Sequence, residues 1–271
     1  MDHDFITYAR DDRVATITFN AAKRFNAFNA TMKAEFLEAL AEAEADDRVR
    51  VIVVTGAGER AFATGYDLND SVGIAPGSVG EWRTRLEEDY DFTYSVWKCP
   101  KPVIARIHGH CLAGALEFAQ MCDVRYCADD AKFGVVESRF SAGVVTLVMP
   151  WIIGARAREL IFTGDTIGAE EALRMGLVNR VFPKDRLDEE VGKIARRMAL
   201  IAADCLLWNK RALNNTMEAM GFQTAMRYGP EACTMLDATS TPEHAEFSAV
   251  RRERGVKEAL KWRDAQFRRP Q

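Results

Sequence analysis

Apolar residues recur along the chain with two different periods, and the shorter period predicts β-strands. Apolar and polar positions alternate over residues 13–19, whereas residues 49–55 are almost continuously apolar. Further short apolar runs follow prolines or turn residues. The predicted strands are residues 13–19, 49–55, 103–107, 123–127 and 178–182.

Helical spacing separates these strands. Apolar residues between Thr31 and Ala45, such as Met32, Phe36 and Leu40, fall on one helical face. A second helix, rich in aromatic residues, is predicted over residues 81–97, after a glycine-rich loop at residues 73–80. Because strands and helices alternate, the predicted fold class is α/β.

The pattern changes after Asp185, where helical segments follow one another without a strand between them. The predicted helices are residues 187–202, 205–220 and 242–267. We therefore divide the chain into an α/β core over residues 1–200 and a helical C-terminal part over residues 201–271.

Composition narrows the classes of protein that fit. The 271-residue chain has a net charge of −4, so no global positive field attracts nucleic acid or an anionic membrane. Its six cysteines form no CxxC pair, which is typical of reduced thiols in a cytoplasmic protein. The start of the chain lacks the features of a signal peptide, and the most apolar stretch, residues 144–153, is too short to span a bilayer. We expect a cytoplasmic protein with no nucleic-acid or membrane partner.

Two glycine-containing turns carry most of the chemical information. Residues 61–68 (AFATGYDL) and residues 108–117 (HGHCLAGALE) each follow a strand-like run. Glycine at such a turn lets main-chain N–H groups point into a cavity, and a helix that begins there adds the positive end of its dipole. Two such N–H groups can bind a developing oxyanion.

Several ordered matches make the chain resemble the enoyl-CoA hydratase/isomerase (crotonase) superfamily from about Thr16 to Pro183. The matching segments are residues 25–29, 63–68, 109–123, 133–137, and 162–165 together with 169–178. The resemblance implies a crotonase-like spiral of repeated β-β-α units, closed by a helical C-terminal part that mediates trimer formation.

The resemblance also implies a site, residue by residue. The backbone N–H groups of Tyr66 and Gly114 would form the oxyanion hole, and Glu117 and Glu137 would be the catalytic acids and bases. For the CoA part of the substrate we expect contacts from seven positions, with Arg251, Arg252 and Lys257 as weaker candidates. The seven are Lys23, Arg24, Ala27, Ala63, Gly65, Asp67 and Leu68.

Each assignment has a plainer alternative. Glu117 can be an acidic residue in the first turn of a helix, and Glu137 can be paired with Arg139, which would also hold Glu137 ionised and favour a role as base. Asp67 is better explained as a cap of the following turn than as a catalytic group. His108 and His110 have no metal-site spacing, so we expect structural roles and no metal.

Two other motifs point to different classes of protein. The sequence GAGERA at residues 56–61 resembles a dinucleotide-binding fingerprint, but Phe62 and Gly65 interrupt the helix it needs. The sequence GHCLA at residues 109–113 resembles a nucleophile elbow, which would make Cys111 the nucleophile of an α/β hydrolase. Only His244 follows as a possible base, and it lies in the helix-rich tail.

Most of these features fit an enoyl-CoA hydratase, and we expect it to need no metal or redox cofactor. Isomerisation, hydrolysis or C–C cleavage on the same fold, and a non-catalytic CoA-binding protein, remain alternatives. We expect a homotrimer or a dimer of trimers, because the tail is rich in large apolar residues. They are Trp208, Met217, Met220, Phe222, Met226, Met235, Phe247 and Trp262.

Overall fold

Two β-sheets form the centre of the computed structural model, which describes residues 3–70 and 78–268. The larger sheet has the strand order β1-β2-β3-β5-β7-β10, and the smaller has the order β4-β6-β8-β9. The strands are β1 Ile6–Asp11, β2 Val14–Phe19, β3 Val51–Gly56, β4 Ala61–Ala63, β5 Val103–Ile107, β6 His110–Leu112, β7 Val124–Ala128, β8 Lys132–Gly134, β9 Thr166–Gly168 and β10 Arg180–Phe182.

Consecutive strand pairs generate a spiral. In each of the pairs β3-β4, β5-β6 and β7-β8, the first strand joins the larger sheet and the second joins the smaller. Neighbours are parallel, except that β1 is antiparallel to β2 and β9 to β8. A helix follows each of the first two pairs. The predicted α/β class and the repeated β-β-α units are confirmed.

Helices surround the sheets and make up the C-terminal part. Asn29 caps the first helix, and Ser78 and Glu81 form a capping box at the second. The helices are α1 Ala30–Ala45, α2 Val79–Lys98, α3 Gly114–Met121, α4 Met149–Ile153, α5 Ala157–Thr163, α6 Ala169–Met175, α7 Leu187–Met198, α8 Ala203–Ala219, α9 Phe222–Met226, α10 Tyr228–Thr239, α11 Pro242–Arg254 and α12 Val256–Gln266.

The larger sheet is buried on both faces, which explains its continuous apolar runs. On β3, Ile52 and Val54 belong to the core formed with α1, α2 and α3, whereas Val51 and Val53 pack with α7. Five phenylalanine rings connect β2, α1, α2 and α3 with centroid separations such as 4.9 Å and 5.1 Å. They are Phe19, Phe28, Phe36, Phe92 and Phe118.

Several elements differ from the prediction. Strand β1 was missed because its side chains are largely exposed and Ile6 is its one buried residue. Helices α9 and α10 were missed as well. Gly229 and Pro230 are usually signs of a turn, but here they lie in the first turn of α10, where proline is tolerated. The predicted helix over residues 242–267 is broken at Gly255, whose φ of 82° belongs to no right-handed helix.

The predicted loop at residues 73–80 lies outside the described residues up to position 77, and its last residues begin α2. Within residues 3–70 and 78–268, no helix is both long enough and apolar enough to cross a membrane.

The C-terminal helices pack on the core of the same chain. Helix α10 lies along α2, and α11 and α12 both contact the 3₁₀ turn Val136–Phe140. Phe222, Met226 and Phe247 are buried in these contacts, so these three residues pack on their own core instead of providing surface for the expected subunit contact. Trp208, by contrast, is 59% exposed.

Candidate active site

Where the two glycine turns meet, two backbone N–H groups have no acceptor among the residues that the structure describes. Phe28 forms a parallel bridge with Tyr66: the Phe28 N–H donates to the Gly65 oxygen at 2.8 Å, and the Asp67 N–H donates to the Phe28 oxygen at 2.9 Å. The Tyr66 N–H therefore points away from this bridge. Gly114 is the first residue of α3, so its N–H has no acceptor within the helix.

The two turns are in direct contact, which requires glycine at position 65. A Cβ atom on Gly65 would lie 2.9 Å from the Cβ of Ala113 and 3.0 Å from the nitrogen of Gly114. Gly65 also has a φ of +87°, a region that favours glycine. Ala113 has φ 53° and ψ −135°, a conformation that is strained for a residue with a side chain.

The Tyr66 side chain forms one wall of this region. Its ring covers the Cα of Gly114, because a Cβ there would lie 2.5 Å from Cε2 of Tyr66. The hydroxyl group lies 3.1 Å from both the Asp89 backbone oxygen and the Thr93 Oγ1 on α2. The ring is thus held at its far end, and burial raises the pKa of Tyr66 well above its ordinary value.

Glu117 lies one turn along α3 from Gly114 and is 4% exposed. Its Oε1 accepts a hydrogen bond from the Val145 N–H at 3.2 Å, and its Oε2 accepts one from the Thr146 N–H at 2.5 Å. Burial raises the pKa of Glu117 to about 7, although these hydrogen bonds favour the ionised form.

Glu137 lies on the 3₁₀ turn Val136–Phe140 and is also buried. Its Oε2 has no hydrogen-bond partner in the described part of the chain. Burial raises the pKa of Glu137 well above its ordinary value, and the negative charge of Glu117 raises it further. The structure therefore brings the two predicted glutamates together, in an environment that disfavours ionisation of both at once.

The alternative in which Glu137 pairs with Arg139 is not supported. Arg139 donates from Nη2 to Oδ1 of Asp165 at 2.6 Å, and its guanidinium lies 4.9 Å from the centre of the Phe267 ring. Arg139 therefore does not hold Glu137 ionised, and the argument for a base role that rested on this pairing no longer applies.

Some of the residues predicted to contact CoA contact one another. Arg24, on the 3₁₀ turn Ala22–Arg24, lies 3.4 Å from Oδ2 of Asp67. Oδ1 of Asp67 accepts the Asn69 N–H at 2.8 Å, in agreement with the predicted turn cap. Arg251 of α11 donates to the Leu68 backbone oxygen at 3.2 Å, so the tail reaches the same segment.

The other predicted contact residues fall into two groups by exposure. The Lys23 side chain is exposed, as are Arg252 and Lys257 on the C-terminal helices, whereas Ala63 is buried and Ala27 half-buried. Binding of CoA by any of these residues stays a prediction.

The alternative thiol site is not supported. Cys111 is buried, and burial raises the pKa of its thiol well above the ordinary value, the reverse of what a nucleophile needs. All six cysteines are unpaired, and of these Cys205 is the exposed one. After Gly56, strand β4 follows where a dinucleotide-binding fingerprint needs a helix. In residues 3–70 and 78–268 no cluster of three or more His, Cys, Asp or Glu side chains could hold a metal ion.

Sequence reasoning missed the groups that hold Glu117 and the Tyr66 side chain. The N–H groups of Val145 and Thr146 fix Glu117, but they lie in an apolar stretch without any polar signature. Asp89 of α2 is buried and forms an ion pair with the half-buried Lys33 of α1, and the backbone oxygen of Asp89 accepts the Tyr66 hydroxyl group. No local pattern marks Asp89, because helical spacing alone does not reveal which charges become buried.

The comparisons with known proteins agree with this fold and geometry. The sequence profile of the enoyl-CoA hydratase/isomerase family matches residues 9–252. The chain belongs to this family, and it is an enzyme of the crotonase superfamily.

Individual relatives show how close the likeness is. A crystal structure of an enoyl-CoA hydratase/isomerase from Xanthobacter autotrophicus Py2 has a TM-score of 0.95 and 38% identity, and the match covers 99% of this chain and 100% of that one. A crotonyl-CoA hydratase of Syntrophomonas wolfei is 31% identical, with 80% of this chain and 84% of the relative covered. The mitochondrial Δ3,5-Δ2,4-dienoyl-CoA isomerase of Rattus norvegicus is 38% identical, with 67% and 60% covered.

Proposed function

We propose that the enzyme adds water across the α,β double bond of an enoyl-CoA thioester, with Glu117 and Glu137 as an acid/base pair. The observation that carries the proposal is the pair of buried carboxyl groups, with pKa values raised by burial, beside two turns that each present one N–H group without an acceptor in the described part of the chain. Hydration needs two positioned groups, one to activate water and one to supply a proton. The crotonyl-CoA hydratase relative supports the same reaction class.

The N–H groups of Tyr66 and Gly114 polarise the thioester carbonyl. As the water oxygen bonds to Cβ, the π electrons of the double bond move onto the carbonyl oxygen, where these donors stabilise the enolate. The N-terminus of α3 adds its dipole at the same place. Because the negative charge is largest in the transition state, donors that are already positioned lower the barrier most effectively there.

The hydrogen bonds of the two carboxyl groups support an assignment of their roles. Glu117 accepts two backbone N–H groups, which favour its ionised form, so it accepts the proton of the attacking water. Glu137, whose pKa is raised further by the charge of Glu117, keeps its proton and delivers it to Cα. The net change is one water added, and no metal or redox cofactor takes part.

A panel of enoyl-CoA thioesters tests the reaction by loss of the conjugated chromophore. Glu117→Gln and Glu137→Gln should each lower turnover by at least about a hundredfold, the usual contribution of a general acid or base. Glu243→Gln, on the exposed side of α11, is the matched control. Near-normal turnover of Glu137→Gln would rule out the two-carboxylate hydration mechanism.

Double-bond migration is the second candidate, because the rat relative is named a dienoyl-CoA isomerase and its identity is 38%. Isomerisation moves a proton between two carbon atoms, so one carboxyl group suffices. Adding non-conjugated enoyl-CoA thioesters to the panel separates the reactions, because an isomerase forms the chromophore that a hydratase removes.

The exposed apolar side chains of the tail support the proposal that the enzyme works as a trimer or a dimer of trimers. Trp208, Leu213 and Met220 on or next to α8 are 59%, 69% and 62% exposed, and Met235 on α10 is 64% exposed. Such surface is typical of a subunit contact. A strictly monomeric mass in light scattering, together with full activity, would refute this assembly. The unpaired cysteines support the proposed cytoplasmic location.

A further inference from the structure

The C-terminal helices pack against the turn that carries Glu137. The Phe140 ring stacks on Phe247 of α11, with centroids 4.8 Å apart and planes at 17°. On the neighbouring residue, the Arg139 guanidinium lies 4.9 Å from the centre of the Phe267 ring, just after α12. Both contacts come from the last part of the chain. The turn Val136–Phe140 is therefore held from outside by the tail.

Arg263 of α12 is a buried charged residue next to this turn. It is 8% exposed, and its guanidinium lies 5.8 Å from the centre of the Phe140 ring. Its ion-pair partner is the next residue, Asp264, at 2.7 Å, whose side chain is 34% exposed. A buried guanidinium is costly to desolvate, and a half-exposed partner compensates this cost only in part.

We propose that Arg263 is a positioning residue for Glu137. Its buried charge lies 5.8 Å from the centre of the Phe140 ring, on the same turn as Glu137, and stabilises the carboxylate that Glu137 becomes when it gives its proton to the substrate carbon. The inference rests on the proposed hydration, in which Glu137 is the acid. It also gives the tail a role inside its own subunit, in addition to assembly.

The charges around Glu137 determine the direction in which its pKa changes when Arg263 is replaced. Glu117 raises the pKa of Glu137 and Arg263 lowers it, so loss of the Arg263 charge should raise that pKa. Arg139 is directed to Asp165. Among the described residues, the charged or titratable groups that face Glu137 or its turn are Glu117 from α3, Cys233 from α10, His244 from α11, Arg139 on the turn itself, and Arg263 with Asp264 from α12.

The test compares four variants in the pH profile of kcat for the full-length enzyme. In the active form Glu137 is protonated, so its ionisation forms the upper limb of the profile. Arg263→Gln should move this limb to higher pH by about half a pH unit or more. It should also lower kcat several-fold with little change in KM. Arg263→Lys should restore the limb. Asp264→Asn, which removes the carboxylate paired with Arg263, should move the limb to lower pH. Arg254→Gln, an exposed arginine of α11, should leave the profile unchanged.

Opposite shifts in Arg263→Gln and Asp264→Asn distinguish an electrostatic effect from loss of packing. Equal losses in Arg263→Gln and Arg263→Lys with an unmoved limb would overturn the proposal. If Arg263→Gln does not fold, the downward shift in Asp264→Asn decides, and its absence counts against the proposal.

Infrared titration of the Glu137 carboxyl band, assigned by difference from Glu137→Gln, gives the same shifts without turnover. Its outcome therefore tests Arg263 even if the chain hydrates no enoyl-CoA thioester. An unmoved band in both charge variants overturns the positioning role, whereas moved bands without hydration overturn only the proposed reaction.

Discussion

Replacing Glu117 with glutamine should stabilise the fold at neutral and alkaline pH while it removes the proposed base. The carboxyl group is buried on α3, and two backbone N–H groups do not offset its loss of hydration. Glutamine is neutral at every pH and keeps one oxygen as acceptor. It loses one of the two backbone hydrogen bonds, at a cost of about 1 kcal/mol that does not depend on pH.

The size of the pH effect follows from the pKa change. Folding raises the pKa of Glu117 from 4.5 to about 7. Between these pH values the folded chain binds more protons than the unfolded chain, so stability falls as pH rises through this window and is constant above it. The wild type should therefore lose about 3 kcal/mol of unfolding free energy between pH 4 and pH 8 relative to Glu117→Gln.

Glu137 increases this difference in unfolding free energy between the wild type and Glu117→Gln. The charge of Glu117 raises the pKa of Glu137, so in Glu117→Gln this second carboxyl group ionises more easily and destabilises the fold less. The two titrations are coupled, and the measured difference therefore belongs to the pair.

Urea-induced unfolding of both proteins at several pH values, followed by circular dichroism, measures the effect. The chain concentration must be kept fixed, because assembly contributes to apparent stability. Parallel curves, with a difference that changes by less than about 1 kcal/mol from pH 4 to pH 8, would refute burial as the cause of the raised pKa.

Three further substitutions test the turn region. Gly114→Ala should destabilise the fold by about 1–3 kcal/mol and reduce turnover, because its Cβ would lie 2.5 Å from a Tyr66 ring that α2 holds in place; thermal melting and steady-state kinetics measure both. Tyr66→Phe should cost about 1 kcal/mol in thermal melting but keep turnover within a few-fold, since the proposed donor is the backbone N–H. Cys111→Ser should leave turnover largely intact; abolished turnover, with covalent labelling of Cys111 by a substrate analogue, would instead indicate a cysteine hydrolase.

The parts of the site that the sequence predicted are those encoded by local pattern. Gly65 and Gly114 lie at turns that leave backbone N–H groups free, and the spacing of Gly114 and Glu117 fits one turn of a helix that does begin at Gly114. Each feature depends on residues a few positions apart, so the order of strand, glycine and acidic residue is visible without the fold. The proximity of Glu137 was available only through the family resemblance.

Features that depend on distant residues could not be predicted in this way. Arg139 had a nearby acidic residue in sequence, but its partner is Asp165, which the fold brings to the same turn. The position of Arg263 depends on the break at Gly255, which turns α12 back after α11. The missed strand β1 has a different cause, since an edge strand with mostly exposed side chains leaves almost no apolar pattern.

The burial of five of the six thiols has a practical consequence. Cys205, near the start of α8, is the exposed thiol, and the exposed Trp208 lies about one helical turn further on. A maleimide fluorophore should therefore attach to the unmodified chain at a single position. Because α8 carries apolar surface proposed for subunit contacts, the rate of this reaction would report directly on whether that helix is covered in solution.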